Sequence, residues 1–198
     1  MTDPIDKANF LDLKSLNPEE VVSRTGCKYD KTTEQYYLTI WEHLYCVDLK
    51  TCEVRPVGPG LKTYHGYLSL FILYYLMKSK NILPLNVWVS EKDIPGGAAF
   101  FRGPHTIPVD VITTRFGEKL DLFKKECENL GGIPIELADA AFEFQITPTI
   151  PVAVLYWLGD DDFPSDAKLL FDKTIAQHLP LDIIYALAVE VCHLVGKA

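Results

Sequence analysis

The order of apolar and polar residues changes its period several times along the chain, and each change predicts a different element. Asn17-Pro18-Glu19-Glu20 has the residues of a helix start and Gly26 is a typical helix stop, which predicts a short first helix. From Gln35 to Arg55, β-branched and aromatic residues form three short runs separated by Glu42-His43 and Lys50-Thr51. This pattern predicts three antiparallel strands joined by tight turns.

Longer apolar patterns predict four more helices. Gly66 to Lys80 is apolar on all sides, which is typical of a helix buried on most of its surface. Ile107 to Arg115 predicts a moderate helix, and Gly117 to Leu130 carries an apolar stripe at helical spacing. A last helix begins at Pro180-Leu181-Asp182 and runs to Val195, with Gly196 as its expected C-cap.

The remaining apolar segments predict strands. Phe142 to Ile146 alternates with polar residues, Val152 to Leu158 is a continuous apolar run, and Lys168 to Phe171 predicts an additional edge strand. Strands occur in local clusters without a regular β-α-β alternation. We therefore predict an α+β fold in which antiparallel sheets pack against a buried central helix and several surrounding helices. We expect a single domain over residues 1–198, with 1–16 as a peripheral N-terminal segment.

Composition and charge restrict the classes of function. The chain has 198 residues, of which 48% are hydrophobic and 23% charged, as is usual for globular proteins. Its net charge of −8 opposes binding to a phosphate backbone, so we expect no nucleic-acid partner. The longest apolar run, Leu68 to Met77, is about half the length of a membrane-spanning helix, so no membrane association is expected. The N-terminus lacks the features of a targeting signal, which favours a cytoplasmic location.

The five cysteines do not predict a shared site. They are scattered along the chain, and no two of them form a C-x-x-C motif. This argues against a disulfide framework and against a self-contained zinc or iron–sulfur site. We expect most of them to be reduced and buried.

The segment most suggestive of chemistry is Pro84 to Pro108, which contains four prolines and three glycines. Ordered loops of this length are often lids or binding loops. Ser90 to Asp93 predicts a capping box for a single helical turn inside it. The candidate cofactor-binding residues are Trp88, Asp93, Gly96, Gly97, Phe101, Arg102, His105 and Trp157.

Within this set, each polar position has a proposed role and an alternative. The Gly96-Gly97 backbone could approach an anion, and Arg102 could pair with it. His105 is the candidate axial metal ligand or general base, because histidine titrates near neutral pH. The alternative is that the aromatic residues pin the loop to the core and that His105 staples the loop through backbone hydrogen bonds.

Two other places carry polar residues of possible interest. His43 falls in a hairpin turn and His193 in a last helical turn, so we interpret both as solvent-facing. Asp160 to Asp166 could hold a hard cation, but it lacks the ligand spacing of a calcium-binding loop. An acidic, solvated turn is the favoured interpretation.

Several segments together resemble a known family. They are Trp88 with Lys92 to Gly97, Phe101 with His105, Leu130-Gly131-Gly132 with Asp139, Pro151 to Trp157, Asp160 to Phe163, Leu169 to Asp172, and Leu179 to Asp182. In this order they resemble the bacterial and archaeal family called domain of unknown function 3786, over about Asn17 to Leu194.

The resemblance implies a single cytoplasmic domain from a family concentrated in anaerobes. It also implies that some relatives carry an iron–sulfur segment and are linked to corrinoid one-carbon metabolism. It implies no established activity and no agreed catalytic residues. The chain lacks the cysteine cluster of the fused relatives, which argues against direct cluster binding.

Three hypotheses of function follow. The first is a binding or accessory protein that holds a bulky cofactor, such as haem or cobalamin, against the loop, with an iron–sulfur or corrinoid protein as partner. The second is an enzyme that pairs His105 with Asp93, Asp139 or Asp172 as acid and base. The third is a partner-binding subunit without catalytic activity that uses the Asp160 to Asp166 turn or exposed aromatic residues.

Overall fold

The computed structural model describes residues 5–58 and 66–197. The helices are α1 (Lys7–Lys14), α2 (Pro18–Thr25), α3 (Gly66–Lys78), α4 (Gly97–Phe100), α5 (Asp110–Phe116), α6 (Leu120–Asn129), α7 (Ile175–His178) and α8 (Leu181–Lys197), with a 3-10 turn at Gly103–His105. The strands are β1 (Lys28–Asp30), β2 (Gln35–Ile40), β3 (His43–Asp48), β4 (Glu53–Pro56), β5 (Trp88–Val89), β6 (Ile133–Pro134), β7 (Ala140–Thr147), β8 (Ile150–Trp157) and β9 (Asp166–Asp172).

The first sheet is an antiparallel meander in the order β1-β2-β3-β4. Its three longer strands confirm the pattern of Gln35 to Arg55. The register places Ile40 opposite His43, so the first tight turn consists of Trp41 and Glu42, and His43 already belongs to β3. Strand β1 has only three residues, which is too short to give a periodic signal of its own.

The second sheet has the order β5-β9-β8-β7-β6, and all its pairs are antiparallel. Alternate residues of β8 face opposite sides: Val152, Val154 and Tyr156 join the main core, whereas Ala153 and Leu155 join a small outer cluster. The predicted strand at Lys168 to Phe171 is present as part of β9, but its predicted place at the edge of the sheet is wrong, since β9 lies between β5 and β8. The two-residue β5 comes from the long loop, and no local pattern predicts its pairing.

Helices α3 and α8 form the centre of the molecule and contact each other along their length. Helix α3 is apolar on most sides, as predicted; α8 also buries most of its residues, and α5 packs against it. Gly196 lies inside α8 rather than at its C-cap, so that prediction is wrong. A Cβ at this position would lie 2.6 Å from Val111 Cγ1, which shows that glycine here allows α5 and α8 to approach closely.

The N-terminal segment contributes to the core. Within the described part of segment 1–16, α1 is capped by Asp6, whose carboxylate accepts a hydrogen bond from the Ala8 N–H. Phe10 and Leu13 of α1 are buried at 2% and 0% exposure and belong to the same apolar cluster as the residues of both sheets. Together these elements confirm the α+β fold class. Across the described residues, no helix has the length and apolarity needed to cross a membrane.

Candidate functional site

The segment Pro84 to Pro108 is ordered by its own local contacts. Ser90 and Asp93 form the expected cap: the Ser90 N–H and hydroxyl both donate to Asp93 Oδ2, at 3.0 and 2.5 Å. These hydrogen bonds, the hydroxyl first, lower the pKa of Asp93. The Asp93 carboxylate is therefore engaged in shaping the loop.

Gly96 and Gly97 have a structural reason to be glycine. Gly96 has a φ of +79°. A Cβ on Gly97 would lie 1.9 Å from the Glu91 carbonyl oxygen, so no side chain fits there. The Gly97 N–H donates to the Ile94 carbonyl at 2.7 Å, which leaves it unavailable to an anion.

The aromatic residues around His105 pack as an anchor. The His105 ring stacks on Phe100 with centroids 4.4 Å apart and meets the edge of Tyr185 at 5.4 Å. The Tyr185 hydroxyl donates to the Pro104 carbonyl at 3.1 Å, which ties the 3-10 turn to α8. Phe101 is buried in the main core, and Arg102 is exposed. The loop is thus held by ring contacts, as the alternative interpretation proposed.

The two tryptophans of the candidate set lie away from His105. Trp88 and Trp157 both pack on the outer cluster of the second sheet. Phe100 and Phe101 instead belong to or pack against the main core on the other side of that sheet. The register pairs Trp88 with Asp172 and Trp157 with Asp166, so the two tryptophans lie on one face but at opposite ends of β9, apart from each other and from the residues around His105.

The three carboxylates considered as partners of His105 are all bonded elsewhere. Asp139 accepts a hydrogen bond from the Leu158 N–H at 2.9 Å. Asp172 is buried and accepts hydrogen bonds from the N–H and hydroxyl of Thr174 and from the N–H groups of Leu85 and Val87. Burial alone would raise the pKa of Asp172, but these hydrogen bonds hold it below its usual value. Within the described residues, none of the three carboxylates is hydrogen-bonded to His105.

A shallow cleft of about 250 Å³ does border the loop. Its floor includes Phe101 and Leu169, and Lys92 and Lys168 stand at its rim. We call it the loop cleft. His105 does not line it.

A serine, a histidine and an aspartate also meet in the interior. Ser79 Oγ lies 3.1 Å from His178 Nδ1, and the Asp172 charge acts on the same ring. In a catalytic triad the serine faces the substrate, but Ser79 and His178 are only 1% and 2% exposed. Burial lowers the pKa of His178, against the opposing effect of Asp172. This cluster ties the C-terminal end of α3 to α7 and is structural.

The most unusual backbone in the described chain is the tip of the β2–β3 hairpin. Trp41 and Glu42 both have positive φ, at 46° and 64°. A two-residue turn with two positive φ angles is of type I′, which favours Asn and Gly. The Trp41 N–H donates to the Ile146 carbonyl at 2.9 Å, and its indole N–H donates to the Leu130 carbonyl at 2.7 Å. The strained tip is thereby fixed against the second sheet and the end of α6, and such strain often marks functional sites.

Three concave spaces meet at this tip, and Trp41 lines all of them. The largest, which we call the tip cleft, has a volume of about 360 Å³ and lies between the turn after α2, strand β2 and the β7–β8 turn. A side groove of about 80 Å³ separates the tip from Asn129 and Leu130. Behind His43 lies an inner cavity of about 10 Å³, about the smallest space that holds one water molecule.

Glu190 of α8 lines the inner cavity together with His43. It is 1% exposed, and neither of its carboxyl oxygens has a hydrogen-bond partner among the described residues. Burial raises the pKa of Glu190 to about 7; the Leu68 N–H in the first turn of α3, which lies near the carboxyl group outside hydrogen-bonding geometry, and the Lys197 charge lower it in part. A buried carboxyl group with a strongly shifted pKa beside an accessible groove is typical of a functional site.

The interpretation of His43 as solvent-facing is wrong, because its side chain is half-buried and lines both the inner cavity and the side groove. The sequence analysis also missed Glu190. A signal existed: Glu190 is the single Asp, Glu, Lys or Arg between Asp182 and Lys197 in an otherwise apolar helix. Its proximity to His43 depends on the packing of α8 against the hairpin.

The family model described as "Domain of unknown function (DUF3786)" matches residues 17–194 of the chain. No curated protein and no solved structure matches it. The matched range contains the hairpin tip, the part of α8 that carries Glu190, and the loop cleft, so the shared domain includes both candidate places.

Proposed function

We propose that this chain, which belongs to the domain of unknown function 3786 family, binds a small molecule that spans the tip cleft and the side groove, and that it exchanges a proton with this molecule through His43, which lines the side groove, and Glu190 behind it. The observation that carries the proposal is the buried Glu190 carboxyl group, whose oxygens have no hydrogen-bond partner among the described residues and whose pKa is raised to about 7. At neutral pH such a group is present in both protonation states and suits general acid–base chemistry. The proposal keeps the idea of a histidine–carboxylate pair but assigns it to His43 and Glu190 instead of His105 and an aspartate.

The positions of the groups suggest a route for the proton. His43 lies between the side groove and the inner cavity, so its imidazole can face a ligand on one side and Glu190 on the other. The inner cavity has room for about one water molecule, which would bridge the two groups. The proton leaves the Glu190 carboxyl group, passes to the imidazole and reaches a basic atom of the ligand; the reverse path removes a proton.

The proposal is tested by titrating the glutamate carboxyl carbons by NMR in ligand-free protein labelled with ¹³C-glutamate. We expect one carboxyl resonance to titrate near pH 7 and to disappear in Glu190→Gln, while Glu128→Gln, at an exposed position of α6, removes an ordinary resonance. A titration of Glu190 near pH 4.5 would contradict the proposal.

Binding is tested separately with a library of small fragments and ¹H–¹⁵N NMR spectra. We expect the largest shifts at the Trp41 indole N–H and at the backbone of Glu42 and His43, and a changed pH dependence of these shifts in Glu190→Gln. Fragments that shift only residues of the loop cleft would count against the tip cleft as the binding site.

Binding of haem or cobalamin by the loop stays a prediction, and the geometry supports it less well. The loop cleft of about 250 Å³ is smaller than the range of about 300 to 1,000 Å³ usual for drug-sized ligands, and His105 lies outside it. Absorbance titration of the purified protein with haem and with cobalamin tests it. A histidine-dependent spectral change lost in His105→Ala would favour this function over the proposed one.

A further inference from the structure

Carboxyl groups, and no lysine or arginine of the described chain, line the spaces around the hairpin tip. Glu42 lines both the tip cleft and the side groove, and Glu190 lies behind them. No lysine or arginine of the described chain lines any of the three spaces. A ligand that brings a negative charge would therefore meet a carboxylate without a compensating cation.

Glu42 is available for a ligand. It is exposed, and no hydrogen bond or salt bridge within the described residues engages its carboxylate. The carboxylate lies against Gly131, where an added Cβ would come 2.7 Å from Glu42 Oε2. Because Gly131 has no side chain, there is room for the Glu42 carboxylate at the mouth of the side groove.

The other polar side chains of the tip cleft are uncharged. One N–H of the Gln145 amide donates to the Thr147 carbonyl at 2.6 Å, and no hydrogen bond among the described residues engages its amide oxygen. The Trp41 indole N–H is occupied by the Leu130 carbonyl, and the residue is only 8% exposed and packs against the Phe144 ring, so Trp41 offers a ligand only the small part of its ring that lines the cleft. An aromatic face beside a carboxylate is the arrangement that binds ammonium groups through cation–π and ionic attraction.

The loop cleft provides a contrast within the same molecule. Lys92 and Lys168 line it together with the single carboxylate of Glu91, so its lining carries a net positive charge and favours an anion. The two clefts have different charged groups and lie on different elements, so the charge of a probe should decide between them.

We propose that the tip cleft binds a small organic cation, a primary ammonium group on an apolar or aromatic body, with the ammonium against Glu42 and the body against Trp41. This inference rests on the proposed function only for the location of the site. The net charge of −8 adds a long-range attraction for such a ligand.

The experiment compares three probes of similar shape: benzylamine, which is a cation at pH 7, benzyl alcohol, which is neutral, and benzoate, which is an anion. Binding is followed by ¹H–¹⁵N NMR, with the Trp41 indole signal assigned by comparison with Trp88→Phe and Trp157→Phe. We expect benzylamine to shift the Trp41 signal with an affinity at least about tenfold above that of benzyl alcohol, and benzoate to leave it unchanged.

Variants test the assigned contact. Glu42→Gln should weaken benzylamine binding about tenfold. Added salt should lower the affinity for benzylamine more in the wild type than in the variant, because the variant lacks the ionic contact. Glu53→Gln, an exposed glutamate of β4, is the matched control and should leave the affinity unchanged.

Equal or tighter binding of benzyl alcohol or benzoate at Trp41 would overturn the inference while leaving the site in place. Absence of any shift at Trp41 with all three probes would overturn it as well. The proposed function fails by a different result, an ordinary titration of Glu190 in ligand-free protein, so the two failures are distinguishable.

Discussion

At the scale of single residues, two buried carboxyl groups differ in whether they are hydrogen-bonded. Asp172 is buried but fully bonded, and it fixes the chain around Leu85 and Thr174. Glu190 is equally buried and has no such bonds within the described chain. An unbonded buried carboxyl group lowers the stability of a fold when it ionises. This cost is the reason to look for a function at Glu190 rather than at Asp172.

The first prediction concerns the pH dependence of stability at Glu190. Its pKa is raised from 4.5 to about 7 in the folded protein, so the folded state binds more protons between these values. Its contribution is favourable at low pH and is lost as the pH rises through 7. Glu190→Gln should therefore exceed the wild type by roughly 3 kcal/mol in the free energy of unfolding at pH 8, and match it near pH 4.5.

Urea denaturation at both pH values measures this difference. The groups that face Glu190 are His43 from β3, the Leu68 N–H from α3 and Lys197 from its own helix. Glu128→Gln provides the comparison for loss of a charge on the surface. An equal effect of Glu190→Gln at pH 4.5 and pH 8 would show that packing, and not ionisation, determines the stability change.

At the scale of elements, two short segments have a backbone geometry that few residue types fit. The hairpin tip has a bulky pair where glycine and asparagine are preferred. The first residue of α4 is Gly97, at a position where no other residue fits. The strained pair at the hairpin tip lowers stability but fixes the position of its side chains. At the start of α4, glycine allows the backbone to close tightly.

The second prediction follows from the hairpin tip. Glu42 has a φ of 64°, so Glu42→Gly should relieve strain and raise the free energy of unfolding by about 0.5 to 1 kcal/mol. The same variant should lose affinity for benzylamine. Glu53→Gly in the extended strand β4 should lower stability by about as much, because glycine loses more backbone entropy there. Thermal unfolding of both variants decides the point, and a loss of stability in Glu42→Gly would contradict the strain.

The third prediction concerns the loop. Gly97→Ala would place a Cβ 1.9 Å from a backbone oxygen, so the segment around α4 must move. We expect a loss of about 3 kcal/mol or more in the free energy of unfolding, measured in urea. Ala98→Ser, at the exposed next position, is the control and should change stability by less than about 0.5 kcal/mol. A tolerated Gly97→Ala would mean that the loop is not held as described.

At the scale of the whole molecule, one connected core joins α1, both sheets and the pair α3 and α8. The backbone hydrogen bond from Trp41 to Ile146 links the two sheets directly. Any change in the packing of α8 therefore reaches the hairpin tip, because Glu190, Leu194 and the tip surround the same spaces.

The fourth prediction tests the place of α1 in that core. Leu13 is fully buried, whereas Leu11 of the same helix is 64% exposed. Leu13→Ala should lower the free energy of unfolding by about 2 to 5 kcal/mol, and Leu11→Ala by less than about 0.5 kcal/mol. Equal, small effects in urea denaturation would instead support the peripheral placement of segment 1–16.

The sequence by itself determined the elements whose signal is local. The apolar helices α3 and α8, the meander of β2 to β4 and the paired strands β7 and β8 follow from the period of side chains, because that period reflects which face is buried. The Ser90–Asp93 cap follows from residues three apart. The order of such elements was enough to predict the α+β class and the family resemblance.

Only the tertiary structure brings the groups of the proposed site together. His43 and Glu190 belong to opposite ends of the chain, and nothing local to either indicates that they share a cavity. The same holds for Trp88 and Trp157, which the sequence grouped with His105 and the sheet places on its other face. Periodicity gives the face of an element but not its neighbour in space, and a site is formed by neighbours.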